Sequence, residues 1–145
     1  MASNASCFLQ QVRLIDTHIE NKLQELGNLK DFVLKITPAL KQDAVSGGGT
    51  QDKLGDAIAK IVDLENEIDR AIDEYVDKKR EISGVLEFVT DPDQLKVLHK
   101  RYFEYKQWEQ IACEMFMSYR NVCYIHGNAL LTVERILKGK TEVAK

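Results

Sequence analysis

Four side chains with the chemistry of base recognition stand close together at Tyr119, Arg120, Asn121 and Tyr124. An arginine can bind guanine O6 and N7 with two hydrogen bonds, and an asparagine can bind adenine N6 and N7 in the same way. Ser118 precedes them and is a favoured N-cap residue, so a helix is predicted to begin directly after it. The N–H groups at such a helix start also favour a phosphate. The cluster therefore indicates DNA recognition by the first turns of a helix.

The apolar residues around this cluster are spaced for two short helices. Ile111 and Met115 lie one helical turn apart, and Val122, Ile125 and Ala129 repeat that spacing after a break. The complete apolar set is Ile111, Ala112, Met115, Met117, Val122, Ile125 and Ala129. Two short helices joined by a tight turn form a helix-turn-helix, whose second helix enters the DNA major groove. An ordinary helical hairpin of the core would bury much the same set, and this alternative stays open.

A third helix is predicted to begin at Asp91. Asp91 is placed as its N-cap, Pro92 occupies the first helical position, and Gln94 completes a capping box. This helix is expected to end near residues 104–106 and to turn Leu95, Leu98, Tyr102 and Phe103 inward. Tyr102 and Trp108 can together cover the two helices that follow.

Two long segments before residue 90 carry apolar residues at alternating steps of three and four. In the first, from Ser6 to Thr37, they are Phe8, Val12, Ile15, Ile19, Leu26, Leu29, Val33 and Ile36, with Lys22 in one slot. In the second, from Lys53 to Val89, they are Leu54, Ile58, Ile61, Ile68, Ile72, Tyr75, Ile82, Leu86 and Val89, with Glu65 and Lys79 at polar seam positions. Each segment therefore predicts a long helix with one apolar seam.

The segment between them predicts a turn. Pro38 is expected to end the first helix, because the residue before a proline disfavours the helical region, and a glycine-rich connection runs from Lys41 to Thr50. The fold class is therefore all-α, with a long antiparallel coiled-coil-like helical hairpin followed by a three-helix helix-turn-helix module. The hairpin is predicted to occupy residues 1–90, to contain a linker at about 38–52, and to serve as scaffold and oligomerisation element. The helix-turn-helix is predicted at 91–138, and a polar, frayed tail at 139–145.

Charge is distributed unevenly along the chain. Residues 1–95 hold 11 Lys and Arg against 18 Asp and Glu, whereas residues 96–145 hold 9 against 5, and the net charge is −3. An acidic scaffold with a basic C-terminal part is the asymmetry expected when one end of a protein contacts phosphate.

Other function classes find little support. The 3 Cys show no metal-ligand spacing and are interpreted as reduced thiols, with Cys113 and Cys123 packed between helices and His126 on the helix surface near DNA. No nucleophile–base pair or paired-carboxylate site is evident, so we expect neither an enzyme nor a cofactor. Without a signal peptide or an apolar stretch of about 20 residues, the chain is expected to be soluble and cytoplasmic, with no membrane contact.

The residues from Leu98 to Leu130 resemble a known family. The sets Arg101-Tyr102-Phe103, Trp108-Glu109-Gln110-Ile111-Ala112, Ser118-Tyr119-Arg120-Asn121-Val122 and His126-Gly127-Asn128-Ala129-Leu130 look like region 4 of bacterial sigma factors. They are closer to the sigma-like phage regulators of the ArpU and RinA type. A related family of small phage proteins of unknown function is similar along most of the chain, including the run SGGGTQDKLGDAIAKIVDLENEID. The resemblance covers about residues 40–137.

The resemblance implies a role for individual residues. It makes Tyr119, Arg120, Asn121 and Tyr124 the base-facing set and Ser118 the cap. It also nominates three residues for contacts with the DNA backbone, namely Arg101, Lys106 and Gln107. The chain departs from the family pattern at Phe116, where the turn often has glycine, and in having a single Arg in the first turn of the second helix.

The resulting hypothesis is a phage-type transcriptional regulator. It would bind promoter or operator DNA as a homodimer in the bacterial host cell and contact RNA polymerase. One alternative is a DNA-packaging recognition subunit similar to a small terminase, in which a helix-turn-helix also accompanies a helical oligomerisation element. Another is a protein-interaction module that docks on host polymerase without touching DNA.

Overall fold

The computed structural model describes residues 4–42 and 49–143, and within these ranges the chain is helical, with no β-strand. Five helices follow one another: α1 (Asn4–Gln42), α2 (Gly49–Leu86), α3 (Pro92–Tyr102), α4 (Trp108–Glu114) and α5 (Tyr119–Val143). The predicted all-α class, with two long helices before three further helices, is confirmed. None of the described helices has the length and hydropathy needed to cross a membrane.

The chain divides into two compact units, and the division falls inside the long helices. One unit, the arm, is Ile15–Glu74, and the other, the helix-turn-helix unit, is Met1–Leu14 with Tyr75–Lys145. The start of α1 and the end of α2 thus belong with α3, α4 and α5. The reason is a shared core in which Leu9, Ile82, Leu98 and Val133 are buried together. The scaffold and the predicted DNA-binding part therefore share this core instead of separating near residue 90.

In the arm, α1 and α2 run antiparallel along one apolar seam. Its buried positions are Ile19, Ala57, Leu64 and Ile68. Two ion pairs cross the seam, Lys22 to Glu67 at 3.3 Å and Lys30 to Glu65 at 3.7 Å. These pairs are solvent-exposed and contribute at most about 1 kcal/mol each, so the apolar contacts hold the arm.

Within the arm, one half of the predicted α2 seam is wrong by one residue, whereas Leu86 of the same half, beyond the arm, is buried as predicted. Ile58 and Ile72 are 48% and 42% exposed, whereas Ala57 and Leu64 are buried. In the structure, the residue three positions after Leu54 (Ala57) and the residue three positions after Ile61 (Leu64) are buried. The prediction had instead placed the residues four positions after Leu54 and Ile61 in the seam. Hydrophobicity favours the larger isoleucines, but where two helices approach closely a small alanine fits the interface and the isoleucine beside it is left in solvent.

The predicted linker and tail are also longer than the structure allows. Helix α1 contains Pro38 and continues to Gln42, and α2 already begins at Gly49, so both helices enter the predicted linker. Proline costs helical stability without forbidding a helix, and here it stands only four residues before the helix end. The glycine run of the predicted connection lies largely in 43–48, outside the described residues. Helix α5 extends through Val143, so the residues predicted as a frayed tail are helical to that point.

Helix α3 begins as its sequence predicts. The Asp91 side chain accepts hydrogen bonds from the backbone N–H groups of Asp93 and Gln94 at 2.9 and 3.2 Å, with Pro92 at the first position. The Gln94 side chain has another role than the predicted capping box, since its Oε1 accepts a hydrogen bond from the Thr132 hydroxyl of α5 at 2.9 Å. The cap therefore starts α3, and Gln94 joins α3 to α5.

Candidate nucleic-acid interface

Helices α4 and α5 are joined by a four-residue turn and pack on α3. Their common core buries Val97, Ile111, Ala112 and Val122. Four partly buried side chains surround this core: Trp108, Met115, Met117 and Ile125. The apolar skeleton predicted from the sequence is confirmed, and Val97 of α3 is an addition to it. This packing fixes how α5 projects from α4.

The turn between α4 and α5 is held by backbone hydrogen bonds. Phe116 N–H donates to the Cys113 carbonyl at 3.3 Å, and Met117 N–H donates to the Ala112 carbonyl at 3.0 Å. These two bonds form a Schellman motif, which requires a left-handed residue at its centre. That residue is Phe116, with φ 55°. The chain therefore adopts the turn that glycine would make, and Phe116 bears the strain.

The start of α5 is capped as predicted. Ser118 Oγ accepts a hydrogen bond from the Asn121 backbone N–H at 3.1 Å. This bond satisfies one of the donors that a helix leaves free at its first turn. It also fixes the direction in which the following side chains leave the helix.

The four predicted base-facing side chains are all exposed. Tyr119 and Tyr124 are 51% and 69% exposed, and Arg120 and Asn121 lie in solvent beside them. The neighbouring Cys123, by its electrostatic effect and then by a hydrogen bond, raises the pKa of Tyr119 above its ordinary value of 10.0. No Asp or Glu occurs from residue 115 to residue 133. This surface therefore offers donors and aromatic rings to a phosphate-bearing ligand, and the carboxylate of Glu109 in α4 acts electrostatically on Tyr119 beside it.

Arg101, nominated for the DNA backbone, is engaged inside the unit. Its Nη1 donates a hydrogen bond to the Lys106 carbonyl at 2.9 Å, and its guanidinium lies 4.4 Å from the centre of the Trp108 ring. A guanidinium stacked on an aromatic ring and bonded to a carbonyl has fewer donors left for a phosphate. This geometry indicates that Arg101 stabilises the loop between α3 and α4.

Lys106, the second nominated residue, belongs to a cluster of ion pairs. Its Nζ lies 2.6 Å from Glu114 and 3.3 Å from Glu104, and Lys100 adds a contact to Glu114 at 2.9 Å. The hydrogen bond to Glu114 raises the pKa of Lys106, and the bonds from Lys106 and Lys100 lower the pKa of Glu114. The cluster ties α3 to α4 and neutralises the acidic groups beside the turn.

Gln107 is the third nominated residue and is placed differently. It is the N-cap residue of α4, with extended backbone angles, and its exposed side chain makes no capping hydrogen bond. Of the three residues nominated for contacts with the DNA backbone, only Gln107 is exposed to solvent, whereas Arg101 and Lys106 are half-buried.

The prediction of His126 as a surface residue is wrong. Its Nε2 lies 2.7 Å from the Tyr102 hydroxyl, and its ring packs on Trp108 in an edge-to-face arrangement with 4.5 Å between centroids. Burial, followed by the charge of Arg101, lowers the pKa of His126 to about 4, so the ring is neutral at physiological pH. The predicted aromatic cover from Tyr102 and Trp108 is real, and His126 is the residue it covers.

One thiol lies elsewhere than predicted, and the exposed face of α5 is larger than predicted. Cys113, predicted to pack between helices, is exposed, whereas Cys123 is half-buried. Leu131 is 56% exposed and lies seven residues after Tyr124, so both point from the same side of α5. The seven-residue spacing from Tyr124 could have predicted that Leu131 lies on the exposed face. In the described part of the chain, no group of three His, Cys, Asp or Glu side chains is arranged to hold a metal ion.

Fold and site together define an all-α protein in which a long helical hairpin precedes a helix-turn-helix. The chain belongs to the DUF722 family, described as a protein of unknown function, whose family model matches residues 11–129. The match covers the whole arm, the end of α2, helices α3 and α4, and the beginning of α5. No curated protein and no solved structure matches the chain.

Proposed function

We propose that this protein binds double-stranded DNA through α5 and regulates transcription. One observation carries the proposal: a capped helix that follows a tight turn exposes Tyr119, Arg120, Asn121 and Tyr124 together. An exposed Arg and Asn in the first turn of the second helix have the chemistry and the place for reading guanine and adenine in the major groove. The resemblance to region 4 of sigma factors supports the same surface.

The nominated backbone contacts take different parts in this proposal. Gln107 contacts a phosphate directly, because its amide is exposed at the start of α4. Arg101 and Lys106 act by positioning, since their charged groups are held by Trp108 and by Glu114. Contact between these two cations and phosphate would first require an exchange of partners, which adds cost to binding.

We further propose that the protein acts as a homodimer joined through its arms, in the cytoplasm of a bacterial host. The described part of the arm leaves six large apolar side chains exposed: Leu23, Phe32, Leu34, Ile58, Val62 and Ile72. A two-helix hairpin buries little surface by itself, and a second hairpin would cover more of it. A dimer with twofold symmetry predicts an operator with two half-sites about one DNA turn, or a multiple of it, apart.

Selection of bound duplexes from a random pool at moderate salt tests the proposal. The parent protein is expected to enrich one motif, and Arg120→Ala is expected to weaken binding to that motif by about 1–3 kcal/mol and relax one base position. Arg135→Ala, on the same helix two turns after Gly127, serves as a matched control that removes an exposed Arg far from the turn. Equal weakening by both variants on all sequences would reduce the interaction to nonspecific charge.

A second candidate function is supported by a groove in the helix-turn-helix unit. It has a volume of about 540 Å³ between the end of α2 and α3, and its lining includes Leu86, Leu95, Phe103 and the charged residues Glu87, Lys96, Lys100 and Glu104. Such a groove suits a protein segment, for example one of RNA polymerase, whether or not DNA is bound as well. If the protein works only in this way, DNA retention will be absent even at low salt, where phosphate contacts are strongest.

The DNA-packaging alternative differs from the regulator in its assembly. A small-terminase-like recognition subunit forms a ring of many copies, whereas the proposed regulator is a dimer. Light scattering on the full chain separates these two proposals. A mass near twice 16.6 kDa excludes the ring.

A further inference from the structure

The side chain of Phe116 stands out from the turn between α4 and α5 with almost no protein around it. It is 95% exposed, the highest value among the large apolar side chains that the structure describes. Its backbone has φ 55°, a left-handed conformation that disfavours every side chain except short polar ones. A glycine here would remove both the exposed ring and the strain.

Tyr105 has the same backbone strain as Phe116, but its ring packs within the folded protein. It is the other non-glycine residue of positive φ, at 59°, in the loop between α3 and α4. Its hydroxyl is buried, and the Arg13 guanidinium lies 5.6 Å from the centre of its ring. The Tyr105 ring is thus part of the folded unit, whereas the Phe116 ring is not. Strain kept without an internal contact is typical of residues that meet a ligand.

The position of Phe116 indicates which ligand. It lies two residues before the Ser118 cap and four before Arg120, so its Cα is at most about 14 Å from that of Arg120. The stretch from 115 to 133 that contains both residues has no carboxylate. A phenyl ring carried beside a base-reading helix meets one apolar group in the major groove, the thymine C5-methyl.

We propose that Phe116 is a specificity-determining residue that contacts a thymine methyl group at the edge of the site read by Arg120 and Asn121. This inference rests on the proposed DNA binding. At 3.4 Å per base pair, the separation of the two Cα atoms spans at most about four base pairs. The thymine therefore lies within about six base pairs of the base contacted by Arg120, once the lengths of the side chains are added.

A scan of thymine-to-deoxyuridine replacements in the selected duplex tests this contact, because each replacement removes only one methyl group. For the parent chain, one position near the Arg120 base is expected to lose affinity, and Phe116→Gly is expected to bind the unmodified duplex about tenfold more weakly. At the sensitive position, Phe116→Gly binds the thymine and deoxyuridine duplexes equally well.

Stability measurements separate a contact from damage to the fold. Phe116→Gly is expected to increase the folding equilibrium constant about fivefold, because it relieves the left-handed strain while it weakens DNA binding. Phe116→Ala keeps the strain and loses the ring, so it weakens binding without that gain. Tyr105→Gly is the matched control, and it is expected to lower the melting temperature because an integrated ring is lost.

The outcomes distinguish this inference from the function beneath it. A parent chain that binds no duplex at low salt overturns the proposed function and this inference together. The role of Phe116 alone is overturned if binding by the parent chain depends on Arg120 but Phe116→Gly binds as tightly as the parent. The same conclusion follows if Phe116→Gly responds to deoxyuridine as the parent does.

Discussion

Acidification is expected to destabilise the helix-turn-helix unit, because His126 must stay neutral to keep its place against Tyr102 and Trp108. Its pKa in the folded chain is about 4, against an ordinary value of 6.5. The unfolded chain therefore binds more protons than the folded chain between these values, and unfolding becomes easier as the pH falls. The contribution of neutral His126 is fully present above about pH 6.5 and is lost progressively as the pH falls toward 4.

The size of this effect follows from the difference between the two pKa values. Each pKa unit corresponds to 1.36 kcal/mol, so a fully shielded ring would cost about 3 kcal/mol over the whole range. His126 is only half-buried, and solvent screening reduces the effect to roughly 1–2 kcal/mol in total. Between pH 7 and pH 5, where the carboxylates remain ionised, we expect a loss of about 1 kcal/mol.

Urea denaturation of the full chain at pH 7, 6 and 5 measures this loss. The matched variant His126→Gln keeps a polar side chain but cannot titrate, so its free energy of unfolding should change less with pH than that of the parent. Glu114→Gln is a second control, because the pKa of Glu114 lies below its ordinary 4.5 and its effect belongs to more acidic solutions. Parallel pH profiles for the parent and His126→Gln would refute a half-buried His126 that is neutral in the folded chain.

Three further predictions test other parts of the structure. Tyr102→Phe removes the 2.7 Å contact to His126 and is expected to cost about 1 kcal/mol in urea denaturation; no loss would mean that water replaces the hydroxyl. Ser118→Ala is expected to cost about 1 kcal/mol by loss of the α5 cap, whereas Ser118→Asp should retain most of it; equal losses would argue against capping. Ile68→Ala is expected to cost about 2–4 kcal/mol and Ile72→Ala below about 1 kcal/mol, because they are 5% and 42% exposed; equal costs would contradict the observed register of α2.

Local signals in the sequence predicted local structure well. Asp91 and Ser118 cap α3 and α5 because their side chains bond N–H groups only two or three residues away, and such bonds depend on little else. The apolar spacing around Ile111 and Val122 likewise needs only helical periodicity and one tight turn.

Features that depend on distant residues could not be predicted in the same way. Whether Ala57 or Ile58 lies in the α2 seam depends on the distance between α1 and α2, and apolar periodicity carries no information about that distance. His126 is covered by Tyr102, 24 residues earlier in the chain, so its own neighbours in sequence gave no sign of its burial. Arg101 was nominated for DNA because it is basic, but Trp108 supplies a nearer surface for its guanidinium.

Methylation interference on the selected duplex tests most directly whether α5 reads bases in the major groove. Dimethyl sulphate modifies guanine at N7 in the major groove and adenine at N3 in the minor groove. We predict that guanine N7 methylation at one position blocks binding of the parent chain, and that Arg120→Ala loses this sensitivity while Arg135→Ala keeps it. Interference confined to adenine N3, or identical patterns for the parent and Arg120→Ala, would contradict base reading by α5.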